Sequence, residues 1–253
     1  MGTWLMIGAA NIVVGALVGL CGVAGFLLPM FYTASLGMSV SEGLALSFAA
    51  FIVSGALGSW NYKKAGNLDV KFGLKLSAGS LAGAVLGVKL NMIIPEDKVK
   101  ILLYLVVLLS GISILLRKDK KETEEKTEGA SIGKNLPAVL LLGAVTGAIC
   151  SMSGAGGPVL VMPLLVVLGI PVRTAVGVAL FNSVFIGIPA VAGYLSQCRI
   201  HKILPVLLLA LITHGAGVYF GSKNAARINQ KLLKKGIAVF SIIIAACKLG
   251  VVF

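Results

Sequence analysis

Charge is scarce in this chain. Only 12% of its 253 residues are Asp, Glu, Lys or Arg, and nine are acidic. Those nine (Glu42, Asp69, Glu96, Asp97, Asp119, Glu122, Glu124, Glu125 and Glu128) stand between apolar runs or at their edges, never well inside one. Carriers of metal ions and many proton-coupled cation carriers need buried carboxylates as ligands or relays, so this distribution argues against a cation and for an anion as substrate. Cysteine is equally sparse, and Cys21, Cys150, Cys198 and Cys247 are not spaced as a metal-binding set, so the sequence implies no metal and no cofactor. No Ser/His/Asp set, paired carboxylates or histidine-rich cluster falls within the apolar runs, which leaves an intramembrane enzyme without machinery; the expectation is a protein that is not an enzyme. No basic residue precedes the first apolar run and no clear small-residue cleavage site follows it, so it reads as a retained span rather than a signal peptide.

What the chain has in abundance is apolar sequence: 58% of residues are hydrophobic and the mean hydropathy is +1.00. The runs are about 17 to 22 residues long, the length that crosses roughly 30 Å of hydrocarbon. They predict an all-α polytopic membrane protein with spans near 4–20, 42–61, 73–92, 99–116, 137–150, 173–195, 203–221 and 233–252, and shorter apolar pieces at 26–36 and 158–168. A net charge of +13 has a sufficient cause in membrane topology, because the 22 Lys and Arg lie mainly between apolar runs; no nucleic-acid partner is expected. The stretch RKDKKETEEKTEGASIGKN is a solvated linker. It divides the chain into a first transmembrane unit at 1–116, a charged cytoplasmic linker at 117–136 and a second unit at 137–253.

The two units read as copies. Gly15 and Gly19 match Gly143 and Gly147 at an offset of 128, and from Gly22 onward the offset is 132, pairing Gly22 with Gly154, Gly25 with Gly157, Gly37 with Gly169, Gly55 with Gly187 and Tyr62 with Tyr194. Gly83 and Gly87 pair with Gly217 and Gly221 at 134. If the short pieces do not cross the membrane, each unit has four spans and the copies are parallel; if they do, each has five and the copies are inverted. The inverted arrangement puts 16 of the 22 basic residues on one side, the parallel one 13. The positive-inside rule therefore favours eight to ten transmembrane segments in two inverted repeats, each of four full spans and one short or broken helix.

Residues 147 to 157, GAICSMSGAGG, place four glycines where a span should run on, and Pro158 follows. Irregular backbone is tolerated at membrane depth only where protein or water satisfies its polar groups, and proline suits the first turn of a helix. This predicts a break through Ser151, Ser153, Gly154, Gly156 and Gly157 that opens a helix whose unpaired N–H groups would hold an anion. Gly22 and Gly25 predict the same device ahead of Phe26 in the first unit. Asn182 and Ser183 supply further donors inside a span, with Ser47 a counterpart in the first unit; helix bridging is the alternative role for such side chains. His214 is the one histidine well inside a span. It either couples proton movement to transport or bonds between helices as a neutral ring, and the residues leave both open.

The two glycine-rich loops, each followed by a short apolar stretch and then by LGMSVSEGLALS in one unit and LGIPVRTAVGVALFNS in the other, resemble the TauE/SafE family of sulfite and organosulfonate exporters. The resemblance spans nearly the whole chain. It implies a prokaryotic cell-membrane permease for small anions such as sulfite or sulfoacetate, with alternating access at a midplane site between the repeats. Two positions depart from the pattern: Ala24 stands where the family tends to have glycine, and Pro29 falls two places ahead of the register of Pro163. Both weaken the expected first half-site. An anion channel, an importer of another small oxyanion or carboxylate, and more remotely an intramembrane enzyme are the alternatives. The partners implied are a small anion and the lipid bilayer, with a homo-oligomer left open.

Overall fold

The computed structural model describes residues 2–22, 24–95, 97–98 and 135–225, with scattered helical positions within 101–116 and 235–250. The charged linker and the spans expected at 99–116 and 233–252 fall largely outside the described residues. Among the described residues the fold is all-helical, with eight α-helices: α1 Gly2–Cys21, α2 Leu27–Met30, α3 Val40–Lys64, α4 Val70–Ile93, α5 Leu136–Ser153, α6 Gly157–Val167, α7 Val172–Leu195 and α8 Ile200–Asn224. Six of them, all but α2 and α6, are long and apolar enough to cross a membrane.

The polar residues at the run edges start these helices. Ser39 and Glu42 form a reciprocal capping box at α3, in which the Glu42 N–H donates to Ser39 Oγ and the Ser39 N–H to Glu42 Oε2 at 3.1 Å. Asp69 accepts from the Phe72 N–H at 3.0 Å at the start of α4, and Asn135 caps α5. Two of the few carboxylates are thus accounted for as helix caps outside the apolar interior.

Packing identifies the centre. Within the spanning windows, 67% of α3 and 61% of α7 is buried, against 33% for both α1 and α8. α3 and α7 cross each other, α4 and α5 pair, α1 and α8 pair, and the outer surfaces present Leu81, Leu86, Leu141, Ile212 and Phe220, as expected of faces that meet lipid. Hydrophobic burial does not drive helices together in lipid; close approach of backbones over small residues does. A Cβ on Gly79 or Gly83 would collide with the carbonyl oxygens of Leu140 or Ala144 across the α4–α5 seam, and one on Gly217 or Gly221 with those of Ile12 or Ala16 across α1–α8.

These matched collisions also revise the sequence register. Leu140 and Ala144 correspond to Ile12 and Ala16 at the offset of 128, so Gly79 matches Gly217 and Gly83 matches Gly221, an offset of 138 rather than 134. The difference is one helical turn. Glycines recur every fourth residue along this seam, so sliding one copy by a turn leaves glycine over glycine and the sequence cannot register the slip.

Contacts along each seam give the helix directions. Residue numbers rise together between α1 and α8 (Gly15 over His214, Gly19 over Val218), between α4 and α5 (Gly79 over Leu140, Gly87 over Ala148) and between α3 and α8 (the Asn61 amide donates to Ser222 Oγ at 2.6 Å, and Val53 meets Gly215). They run oppositely between α3 and α7, where Gly177 lies against Tyr62 and Phe48 stacks on Tyr194 with ring centroids 5.9 Å apart. Hence α1, α3 and α8 point one way and α4, α5 and α7 the other. Lys63, Lys64 and Lys223 end helices on the face where Lys71, Lys75 and Arg173 begin them. Trp60 under Lys64 and Tyr219 under Lys223 form cation–π pairs toward that same face, as interfacial anchors do.

At the crossing the fully buried Tyr194 hydroxyl donates to the Ser151 carbonyl at 2.8 Å. Tyr194→Phe leaves that carbonyl without this donor and is expected to cost about 1 kcal/mol, lowering the melting temperature of the purified protein by about 2–4 °C. A change below 1 °C in differential scanning fluorimetry would show that the bond contributes little.

Candidate functional site

Two interruptions of the helical order meet at this crossing. In the second unit α5 runs through Ser153, the chain turns over three residues, and α6 begins at Gly157. Gly154 closes α5 in the left-handed region at φ 72°, ψ 12°, and Gly156 precedes α6 at φ 74°, ψ 153°, a combination open in practice only to glycine. No side chain caps α6. Its first-turn N–H groups have no intrahelical acceptor, so they and the positive end of the helix dipole face the crossing. The break is shorter than the sequence suggests, because Ser151 and Ser153 remain helical.

The first unit does not repeat this geometry. Where a half-helix is expected at 26–36, the chain makes a 3₁₀ turn at Ala24–Phe26, one α-turn at Leu27–Met30 and a π-turn at Phe31–Ser35. Pro29, displaced from the register of Pro163, lies inside the α-turn, and its carbonyl accepts from Thr33 Oγ1 at 2.7 Å. The contacts of the two loops nonetheless correspond: a Cβ on Gly22 would meet Val176 and one on Gly154 the matching Leu44, while Gly25 faces Phe51 and Gly157 faces the matching Ser183.

Between the loops lies a cavity of about 10 Å³, room for roughly one water molecule. Gly22 and Gly25 line it from the first loop, Ala155 and Gly156 from the second, Pro158 from the start of α6, Phe51 and Ser54 from α3 and Ser183 from α7. Phe51, Ser54 and Ser183 occupy the middle turns of α3 and α7, so the cavity sits near mid-depth. The Phe51 ring is wedged between Gly25 and Gly156. Both hydroxyls lean on main-chain oxygens: Ser183 Oγ donates to Leu180 O at 2.6 Å and to Phe51 O at 3.4 Å, and Ser54 Oγ to Phe51 O at 3.2 Å.

Of the site residues expected from sequence, the structure brings Gly22, Gly25, Gly156 and Ser183 to the cavity, with Gly157 against Ser183 and Gly154 packed on Leu44 and Pro29. Others are engaged elsewhere. Ser151 donates across the α4–α5 seam to Ala84 O and within α5 to Ala148 O, Ser153 to Ile149 O, and Ser47 to Gly43 O within α3. Asn182 is fully buried beside Ser183, and neither atom of its amide has a hydrogen-bond partner. His214 lies on α8, its backbone against Gly15 of α1. Phe51 and Ser54 were not foreseen; Ser54 directly precedes Gly55, which pairs with Gly187, and a hydroxyl beside a matched glycine is the signal that marks it.

Among the described residues, no group of three or more His, Cys, Asp and Glu side chains converges as a metal site. At the α7–α8 turn, burial and the nearby Glu42 carboxylate raise the Cys198 thiol above its usual range, which keeps it protonated near neutral pH and a poor nucleophile.

Spanning helices around two broken segments that meet at mid-depth define a polytopic helical membrane protein of the transporter class. The chain belongs to the family described as Sulfite exporter TauE/SafE, whose sequence profile matches residues 4–247. It is 24% identical over 230 residues to "Probable membrane transporter protein YdhB" of Bacillus subtilis (strain 168), covering 88% of this chain and 91% of that protein. It is 27% identical over 263 residues to a "Probable membrane transporter protein" of Haemophilus influenzae, covering 95% of each. "Probable membrane transporter protein YunE" of Bacillus subtilis is 23% identical, with 93% of this chain covered. No solved structure matches. The protein is a multi-pass membrane transporter.

Proposed function

We propose that this transporter carries a small oxyanion, sulfite or an organosulfonate such as sulfoacetate, outward across a prokaryotic cell membrane, binding it where the second loop, α3 and α7 converge. The observation that carries this reading is the uncapped start of α6 opening beside the Ser54 and Ser183 hydroxyls. Amide N–H groups, a positive dipole end and two hydroxyls that can turn from their main-chain acceptors suit an anion, and no carboxylate lines the cavity to repel one. Sulfite has four heavy atoms and needs more than the room of a single water, so binding requires the loops and the Phe51 ring to part.

That parting fits alternating access between two inverted repeats. The antiparallel crossing of α3 on its counterpart α7, with each short segment returning the chain between helices of one direction, supports the inverted relation. By the positive-inside rule the face bearing Lys63, Lys64, Lys71, Lys75, Arg173 and Lys223 is the cytoplasmic one, which puts the charged linker there too.

The test is counterflow of labelled sulfite and sulfoacetate in proteoliposomes. Trans-acceleration by unlabelled substrate is expected of a carrier; conductance without it indicates a channel, and no flux of any oxyanion defeats the reading. Ser183→Ala removes one donor and is expected to raise the half-saturating concentration about tenfold, equivalent to about 1.4 kcal/mol. An unchanged value removes Ser183 from the site.

A further inference from the structure

A second polar cluster lies where α1, α8 and the turn after α2 meet. Asn11, Tyr32 and His214 are each 0% exposed. The Asn11 side-chain amide donates to the Tyr32 hydroxyl at 2.8 Å and to the Ile7 carbonyl at 2.9 Å. Its Oδ1 has no hydrogen-bond partner, nor has either ring nitrogen of His214, although the imidazole is turned toward the Asn11 main chain. Three buried polar atoms are therefore unsatisfied on two adjoining helices, in a bundle whose surroundings are hydrocarbon.

Packing does not require them. At the register fixed by the glycine seams, the second unit has Val139 in place of Asn11 and Leu76 in place of His214, both 0% exposed. The same helix pair closes there with two aliphatic side chains. Polar residues kept at only one of two matched places, with Asn11 Oδ1 and both His214 ring nitrogens left unpaired, mark a functional site.

We propose that His214, Asn11 and Tyr32 form a proton-binding site apart from the anion cavity, and that it couples proton movement to the anion transport proposed above; the coupling, unlike the site, rests on that reading. An imidazole nitrogen takes up the proton and the resulting N–H donates to Asn11 Oδ1, with no covalent bond broken. Asn11 holds Tyr32 through its amide, and Tyr32 lies in the last turn of the continuous run of short helical turns that begins at Ala24, ends at Ser35 and carries Gly25 into the cavity. Protonation that re-aims the Asn11 amide is thereby felt at the loop. Tyr32 is the ionisable group bonded to the cluster. Along α1 the cluster faces no charged side chain, and those of α3 (Glu42, Lys63 and Lys64, with Tyr62) stand in its terminal turns, as do His201, Lys202, Tyr219 and Lys223 near the ends of α8.

The chain has two histidines, so the full-length protein labelled with ¹⁵N-histidine in nanodiscs gives two ring systems, assigned with His201→Gln. His214 is expected to take up a proton as the pH is lowered within the range where the protein stays folded and to shift its midpoint in Tyr32→Phe; a ring that stays neutral throughout overturns the site. In proteoliposomes, the double variant Asn11→Val with His214→Leu copies the second unit and is expected to fold. A melting temperature up to about 4 °C below wild type is the cost of the lost Asn11–Tyr32 bond and leaves the test intact. The variant should retain counterflow exchange while losing at least tenfold of pH-gradient-driven accumulation. Accumulation equal to wild type overturns the coupling. If the wild-type protein moves no oxyanion, the transport reading fails, and the coupling with it, while the ring titration still decides the proton site.

Discussion

Replacing Gly156 with valine is expected to abolish oxyanion counterflow, by at least 100-fold, in a protein that still inserts and purifies. Gly156 combines φ 74° with ψ 153°, and a β-branched side chain in that region strains the backbone by about 1–3 kcal/mol or more. Relief comes only by rotating the peptide that orients the first N–H groups of α6, which are the groups the proposed site uses. The added Cβ would also lie 3.2 Å from the Phe51 ring, pressing on the side chain that must move for the cavity to open. The damage stays local because the glycine seams on α1, α4, α5 and α8 are untouched. Gly66→Ala is the control: Gly66 has φ 71°, yet nothing lies within 4 Å of its added Cβ, so it introduces a side chain at positive φ without a collision, in a loop between α3 and α4. Counterflow near wild type is expected there. Gly156→Val with flux within twofold of wild type would remove the start of α6 from the substrate's path.

The span pattern was legible in sequence because hydrocarbon demands it: a run of about 20 apolar residues has few other uses, and the six crossing helices among the described residues fall where the runs do. The breaks were legible for a related reason, since Gly154 and Gly156 stand at backbone angles that other residues avoid. Three features were not legible, each with a physical cause. The α4–α8 register slipped by a turn because its glycines repeat at the helical period. Ser151 and Ser153 looked like loop residues, but serine returns its hydroxyl to a carbonyl of the preceding turn and so persists in a helix. The first unit's short segment reads as a half-helix by length and hydrophobicity, yet it is a succession of tight and wide turns, a distinction that composition does not carry.

Sequence comparison of the two units emphasises what they have in common, whereas the candidate chemistry lies in what they do not. Phe51 opposes Ser183, Ala50 opposes Asn182, and Val139 with Leu76 opposes Asn11 with His214. Glycines at corresponding places on the α4–α5 and α1–α8 seams bring the backbones together. A substrate that meets both halves at once, and a proton that meets only one, need the mismatches.

The second large effect is on stability. Gly83→Leu is expected to lower the melting temperature by at least about 6 °C and to broaden the gel-filtration peak, because its Cβ would fall on the Ala144 carbonyl of α5 and there is no flexible side chain to give way. Overpacking costs about 1–3 kcal/mol and sometimes more, and a backbone neighbour puts this case at the upper end, which for a chain of this size corresponds to about 6–12 °C. The helices must also separate along their length. Gly79 and Gly87 then lose their close approach to Leu140 and Ala148, and Ser80 Oγ its 3.0 Å bond to the Gly143 carbonyl. Gly221→Leu strikes the matched place on α1–α8, above Ala16, and is expected to destabilise equally. Had the offset of 134 held, the partner of Gly83 would be Gly217 instead, so the better match of the two melting curves tests the register as well as the seam. Gly8→Ala, whose Cβ meets only the Thr213 methyl at 3.7 Å, should melt within about 1 °C of wild type. A Gly83→Leu protein as stable as that control would mean that the α4–α5 backbones do not approach as closely as the carbonyl contacts require.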